Sequence, residues 1–219
     1  MVFKVRDIVR DVKVAIDQNA ESGELAVLRD PETLELDELI GSKVEEAAGM
    51  VMAVAPVHVL DTALSDFSTE DLFWNAEVSP GATRSARVVL PDDFLRLVRF
   101  RMSDWERPVT EVITPEDPVY ARQFSRFGGL RGCPQKPVCA VSRQSSGIVM
   151  EIFSCRDDRA EVADALYVRI PRVDRDGGID IPERCYRAMV YQTAALTLSS
   201  LGDGNLASVM GETSKQMMI

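Results

Sequence analysis

The chain has 219 residues and a single histidine, His58. Catalytic triads and most metal sites place a His beside a second specific group. His58 is flanked by Val57 and Val59, and no Ser or Cys motif points to it, so it reads as a structural or surface residue. The four cysteines, Cys133, Cys139, Cys155 and Cys185, form no CxxC ligand pair, which argues against zinc. Long apolar runs are also missing. The longest uncharged one, from Ala47 to Leu60, is interrupted by Pro56 and is too short to span a bilayer. The opening MVFKVRDIVRDVK lacks the apolar core of a signal peptide. These absences lead us to expect a soluble protein with no membrane partner and free thiols, in a reducing compartment. Neither phosphate-loop spacing, GxxxxGK[ST] or GxGxxG, occurs. The stretch Arg126-Phe127-Gly128-Gly129-Leu130-Arg131-Gly132 reads instead as a flexible, Arg-flanked loop, able to meet DNA phosphates in a channel or carboxylates on a partner. No cofactor, metal or catalytic residue is expected.

Lysine is scarce as well: 20 of the 25 basic residues are Arg. The guanidinium fork suits ion pairs at interfaces, although an Arg-biased genome would leave the same trace. Net charge is −10 and is unevenly spread. Residues 1–80 hold 6 Lys+Arg against 17 Asp+Glu, whereas residues 81–219 hold 19 against 18. An acidic surface repels phosphates, which argues against a sequence-reading DNA binder but not against a wall past which DNA slides.

A hydrophobic content of 46% is enough for a sizeable core. Val5, Ile8, Val9, Val12 and Ile16 recur at helical spacing and predict a helix over about 3–18. A second helix is expected from about Glu35 to Ala55, stopped by Pro56. Its later half is apolar nearly all round, which places it centrally in a bundle or at a subunit contact. From about Arg84 to Ile170 the period becomes two. Strands are expected at Val98–Met102, Val109–Ile113 and Ala165–Ile170, with a hairpin of Val138–Ser142 and Ile148–Ser154. Thr114-Pro115 reads as the cap and first residue of a short helix through Phe124. Trp105, in the turn Ser103–Pro108, reads as structural, its N–H able to reach a carbonyl. Asp176-Gly177-Gly178 marks a turn, Ile181-Pro182-Glu183 opens a long helix that stops at Gly202, and a last helix covers about Gly204–Met217. The fold class is α+β: N- and C-terminal helices form a bundle, with a mainly antiparallel β region inserted between them. The chain reads as one domain with an acidic helical part at 1–80, a β-rich insertion at 81–178 and C-terminal helices at 179–219.

The adjacent acids Asp92-Asp93, Glu116-Asp117 and Asp157-Asp158 read as caps and solvated turns, because neighbours on a strand face opposite ways and acids at helix starts are ordinary dipole partners. Leu206, Val209, Met210, Met217, Met218 and Ile219 make the C-terminal segment apolar. Two readings stand: docking onto the chain's own core, or burial in a partner's groove with Met as the adaptable contact.

The order of segments carries a likeness. An acidic helical start is followed by LPDDFLRLVRFRMSDWERPV, then ITPEDPVYARQFSRFGGLRG, PQKPVCAV with the strand IVMEIFSC, and finally IPERCYRAMVYQTAALTLSSLGDGNLASVMGETSKQMMI. Spread over most of the chain, it resembles the head-to-tail connector (adaptor or ring) proteins of tailed phages, in particular those of crAss-like phages. The resemblance implies a non-catalytic virion protein at the head–tail interface, assembled in the host cytoplasm. It implies a homo-oligomeric ring of about a dozen copies closed by a heterologous contact. Such a ring joins the portal protein to the next tail ring or tail hub protein, and genomic DNA passes through it without sequence-specific binding. The resemblance also implies that the C-terminal segment, roughly Leu201–Ile219, reaches the portal. Two other readings remain: a small intracellular α+β enzyme or ligand-binding domain using Asp92, Asp93 and His58 or a free Cys, and a tail-completion or stopper protein.

Overall fold

A computed structural model describes residues 1–19, 36–60, 63–67, 72–75, 83–145 and 147–218. Along the chain come β1 (Val2–Lys4), α1 (Val5–Asn19), α2 (Leu36–Val54), β2 (Leu64–Asp66), β3 (Phe73–Trp74), β4 (Arg84–Val89) and β5 (Phe94–Met102). Then follow α3 (Pro118–Arg122), β6 (Val138–Gln144), β7 (Gly147–Cys155), β8 (Val162–Arg169), β9 (Gly178–Asp180), α4 (Glu183–Ser200) and α5 (Gly204–Gln216). The fold is α+β, with the β region between N- and C-terminal helices. It divides into two compact units: a helical unit of residues 1–63 and 170–219, and a β unit of residues 64–169.

In the helical unit, Ile8, Val12 and Ile16 are spaced four apart on α1 and all are buried, while Arg10, Lys13 and Asp17 stay outside. α2 contributes Ile40, Val44, Ala47, Val51 and Met52 to the same core, and α4 contributes Ala188, Met189, Ala194 and Leu198. Each such buried Val, Leu, Ile or Met contributes about 1.5–3 kcal/mol. The buried hydroxyls of Thr193 and Thr197 donate to the carbonyls of Met189 and Thr193, one turn back, so α4 carries polar side chains inward without orphaned groups. The helix expected from residue 3 begins at Val5, because Val2–Lys4 pair instead as β1 with β9, Phe3 opposite Ile179. The Phe3 ring stacks on Tyr186, whose hydroxyl donates to Asp11 at 2.7 Å.

The β unit holds two antiparallel sheets, ordered β2-β8-β5 and β3-β4-β7-β6. Residues from both form one core, centred on Phe67, Leu97, Phe100, Met102, Met150, Ile152 and Tyr167. On β5 the alternation runs as expected: Phe100 and Met102 are buried, Arg99 and Arg101 exposed. A register shift between Leu97 and Arg99 lets both Leu97 and Val98 turn inward. The strand expected at Val109–Ile113 is not one. Val109 bridges Phe100 and Ile113 bridges Ala140, each singly, so the segment crosses between two strands instead of lying along either.

The short helix also starts later than expected. Asp117, not Thr114, is the cap, accepting from the Val119 N–H at 2.7 Å, and Pro118 takes the first helical position. The physical reason is the proline: the residue before it is excluded from the α region, so Asp117 must stay extended, and does at φ −69, ψ 131. Trp105 is buried and meets Phe100 edge-on at 5.8 Å. Its N–H does not reach a carbonyl and is buried without a hydrogen-bond partner among the described residues.

Candidate interaction surfaces

The apolar residues of the C-terminal segment divide between two uses. Gly202, at φ +87, ends α4, and Asp203 caps α5 by accepting from the Leu206 N–H at 3.0 Å. Ala207, Met210 and Ser214 then fall on one face and are buried, with the Ser214 hydroxyl donating to the Ala188 carbonyl at 2.7 Å. Met210, expected as a partner contact, is thus fully enclosed by its own helical unit. Val209 and Met217 are exposed, Leu206 and Met218 half-buried, and Ile219 lies outside the described residues.

Met218 borders a groove of about 540 Å³ between α2, α4 and α5. Its walls are mainly apolar, from Met50 and Val54 on α2, Ala195 and Leu196 on α4, and Ala207 on α5. Met50 is 47% exposed and Val54 67%. The sequence carried this signal: the later half of α2 is apolar nearly all round, and a helix buries only one side against its neighbours. Val51, Met52 and Ala55 take the inner positions, which leaves Met50, Ala53 and Val54 outside.

A second apolar surface lies on the β unit. Between α3 and Gly132 the chain presents Phe124, Phe127 and Leu130 at 57%, 60% and 54% exposure. Expected to be flexible, this loop is tied at several points. Gln123 is buried, donates to the Val119 carbonyl at 3.0 Å and accepts from the Gly132 N–H at 2.8 Å. The Arg131 guanidinium donates to the Ser125 carbonyl, and the Ser125 hydroxyl accepts from the Phe127 N–H at 3.2 Å. Gly132 sits so close to Ser154 that a Cβ would lie 2.1 Å from its Oγ. Phe124 packs edge-on against Tyr120 and Phe153, at 5.2 and 5.7 Å. The Arg126 guanidinium lies 4.9 Å from the centre of the Phe127 ring. Beneath, the Tyr120 hydroxyl donates to Glu151 at 2.7 Å; burial and that carboxylate push its pKa up to about 12.

Comparison with protein families finds no matching model, and comparison with curated proteins finds no match.

Among the described residues, the titratable groups singled out in the sequence are engaged as caps, pairs and hydrogen-bond partners or lie apart on the surface. His58 is exposed on a short 3-10 turn, Val57–Val59. Asp93 accepts from the Tyr167 hydroxyl at 2.8 Å, and desolvation together with that carboxylate raises the phenol to about 12. Asp157 accepts from the Arg159 N–H at 2.8 Å, Asp158 pairs with Arg84 at 3.2 Å, and Asp117 is the cap already described. Burial pushes the Cys139 thiol well above its ordinary range, Cys155 to about 12, and Cys185 upward. The thiolate is the nucleophilic form, so these three are chemically quiet. Among the described residues no three His, Cys, Asp or Glu side chains gather as a metal site, and no helix is long and apolar enough to cross a membrane.

Proposed function

We propose that the chain is a structural connector subunit, a virion protein that joins portal to tail in a tailed phage and performs no catalysis. The observation that carries this reading is the open apolar groove of the helical unit, where Met50 and Val54 face outward beside α4 and α5. Apolar side chains grouped on one face of a folded unit mark an interaction surface. The order of sequence segments supplies the identity of the assembly, and the quiet thiols and capping carboxylates leave little for an enzyme to use. In this reading copies associate head to tail into a ring that lets DNA pass, and the exposed α5 residues Val209 and Met217 meet the portal.

The test is a reconstruction of the phage particle together with pull-down by the cognate portal. Density for the chain at the head–tail vertex and portal binding that falls with Val209→Asp/Met217→Asp are expected. Location elsewhere in the virion would instead favour a tail-completion or stopper protein. Absence from the particle would end the connector reading.

A further inference from the structure

Two features of the β-unit loop are not explained by the folded chain itself. The first is charge. Within a chain of net −10, residues 118–150 contain Arg122, Arg126, Arg131, Lys136 and Arg143 and no acid at all. Arg131 is used inside the loop, but Arg122 and Arg126 are exposed, and neither forms an ion pair among the described residues. The second is glycine. Gly128 and Gly129 have ordinary negative-side backbone angles, and a Cβ on either would meet nothing within 4 Å. Among the described residues nothing requires glycine there. Close approach of another backbone is one physical use for it.

α2 carries the matching features. It has four acids, Asp37, Glu38, Glu45 and Glu46, against one base, Lys43, which holds Glu46 loosely at 3.8 Å with the Glu46 side chain 56% exposed. Glu46, Met50 and Val54 follow one another at four-residue spacing along its exposed face, an acid leading into the apolar groove wall. Beside them lies Gly49, in mid-helix, where glycine is unfavourable and where a Cβ would again meet nothing within 4 Å. One surface is therefore basic, aromatic and flattened by two glycines; the other is acidic, aliphatic and flattened by one.

We propose that these surfaces are the two halves of one intermolecular contact: the Phe124–Leu130 loop of one copy seats on the Glu46–Met50–Val54 face of a second copy. Arg126 then meets Glu46, while Phe127 and Leu130 cover Met50 and Val54. Because the halves differ, the contact is heterologous and leaves an unused half at each end, as ring closure requires. The inference rests on the connector reading and names the contact that would build the ring.

The experiment is sedimentation of the full chain over a range of concentrations at low and high salt. It includes the loop variant Arg126→Ala/Phe127→Ala and the helix variant Glu46→Ala/Met50→Asp. All four side chains are exposed, so unchanged unfolding midpoints serve as the folding control. Wild-type chain should associate, more weakly but still measurably at high salt, and each variant should lose about tenfold or more in affinity. Equal amounts of the two variants should form a one-to-one pair and nothing larger, because only one working contact remains between them. Gly49→Ala should raise the unfolding midpoint yet weaken association, a combination that a purely intramolecular role for Gly49 cannot give.

Variants that associate like wild type would place the contact elsewhere and leave the connector reading standing. Wild-type chain that stays monomeric at every concentration and salt would overturn the contact. Should that monomer instead bind single-stranded oligonucleotide through Arg126 and Phe127, the loop takes nucleic acid, not a second copy. Absence of the chain from the virion would remove the connector reading while leaving the measured self-association intact.

Discussion

The two units bury different chemistry. The β unit encloses aromatic side chains, among them Phe67, Phe94, Phe100, Trp105 and Tyr167, which meet one another stacked or edge-on at 5.6–6.0 Å. The helical unit has no buried aromatic side chain among its described residues; its core is Ile, Val, Leu and Met separated by Ala15, Ala47, Ala48, Ala188, Ala194, Ala195 and Ala207. Aromatic rings fill the β-unit core, while Phe124, Phe127 and Leu130 stay outside on the loop after α3. Alanines let helices approach closely but cover little, so larger residues such as Met50 and Val54 are left at the edge of the bundle. Charge follows the same division. The helical unit holds 11 Lys+Arg against 19 Asp+Glu, the β unit 14 against 16. Both units therefore keep apolar side chains outside, but of different kinds: aliphatic Met50 and Val54 on the helical unit, aromatic Phe124 and Phe127 on the β unit.

The strongest way to break that comparison is Phe100→Ala. The ring is fully buried, stacked on Phe67 and edge-on to Trp105. Its removal should destabilise the β unit by about 3–5 kcal/mol. Denaturant unfolding followed by tryptophan fluorescence measures the loss. A cost below about 1 kcal/mol would show that the aromatic core collapses around the gap, and the β unit would then not be the rigid half.

A smaller effect is expected at Gly132→Ala. The new methyl would arrive 2.1 Å from Ser154 Oγ. Ser154 cannot withdraw easily: it is buried, held at φ +87, and accepts from the Val138 N–H at 3.3 Å. Overpacking of this kind costs about 1–3 kcal/mol. The strain falls on the anchor of the Phe124–Leu130 loop, so proteolysis within the loop should rise together with the loss of stability. A variant as stable and as resistant as wild type would mean that the anchor is soft.

Much of this was legible in the sequence, and the misses have physical causes. The amphipathic repeats of α1, α2, α4 and α5 gave helices to within a few residues, because a periodic apolar face over several turns has one solution. The hairpin of β6 and β7 was equally plain. Val109–Ile113 was misread as a strand because its β-favouring residues record half-burial, which a crossing segment also has. Phe3 and Lys4 read as the start of a helix because the partner of β1, β9, lies far along the chain and three residues carry no period of their own. Asp117-Pro118 was readable: a residue before proline is a poor helical residue and a good cap, and Thr114-Pro115 offered the same pattern one step too early. The partner-facing residues were half legible. Apolarity singled out the last segment, but only the packing of α5 on α4 separates Met210, enclosed, from Val209 and Met217, exposed.

Alkaline pH should act on both units through tyrosine. Tyr120 and Tyr167 in the β unit have pKa values raised from 10.0 to about 12 by desolvation and by the carboxylates they bond, Glu151 and Asp93. Tyr186 in the helical unit is raised as well, by desolvation and by Asp11. A phenol whose pKa is higher folded than unfolded contributes stability that is fully present below the unfolded value and lost as pH rises through the folded one. Stability should therefore hold up to about pH 10 and decline toward pH 12 and above. Ultraviolet tyrosinate absorbance, read alongside circular dichroism, follows it. Tyr167→Phe should flatten the decline in the β unit only, and an unchanged profile would mean that the Asp93 bond is absent in solution.

The smallest effect expected is at Arg99, and it bears on why so many arginines are present. Arg99 lies on the exposed face of β5 and pairs with Asp164 of β8 at 2.6 Å, with half of its side chain in solvent. Such pairs are screened and constrain two long side chains, so Arg99→Gln should cost about 0–1 kcal/mol, less at high salt. Lys215 and Glu212, more exposed still, should matter no more. If Arg99→Gln instead cost several kcal/mol, the β unit would depend on its surface charges, and the contrast drawn from its aromatic core would weaken. A small cost leaves exposed arginines such as Arg99 with little role in stability, and their worth then lies at surfaces that meet another molecule. Arg126→Glu sharpens the point, since among the described residues its partner within the subunit is the Phe127 ring. Its effect on the unfolding midpoint should be no larger than that of Arg99→Gln, while its effect on association should be large.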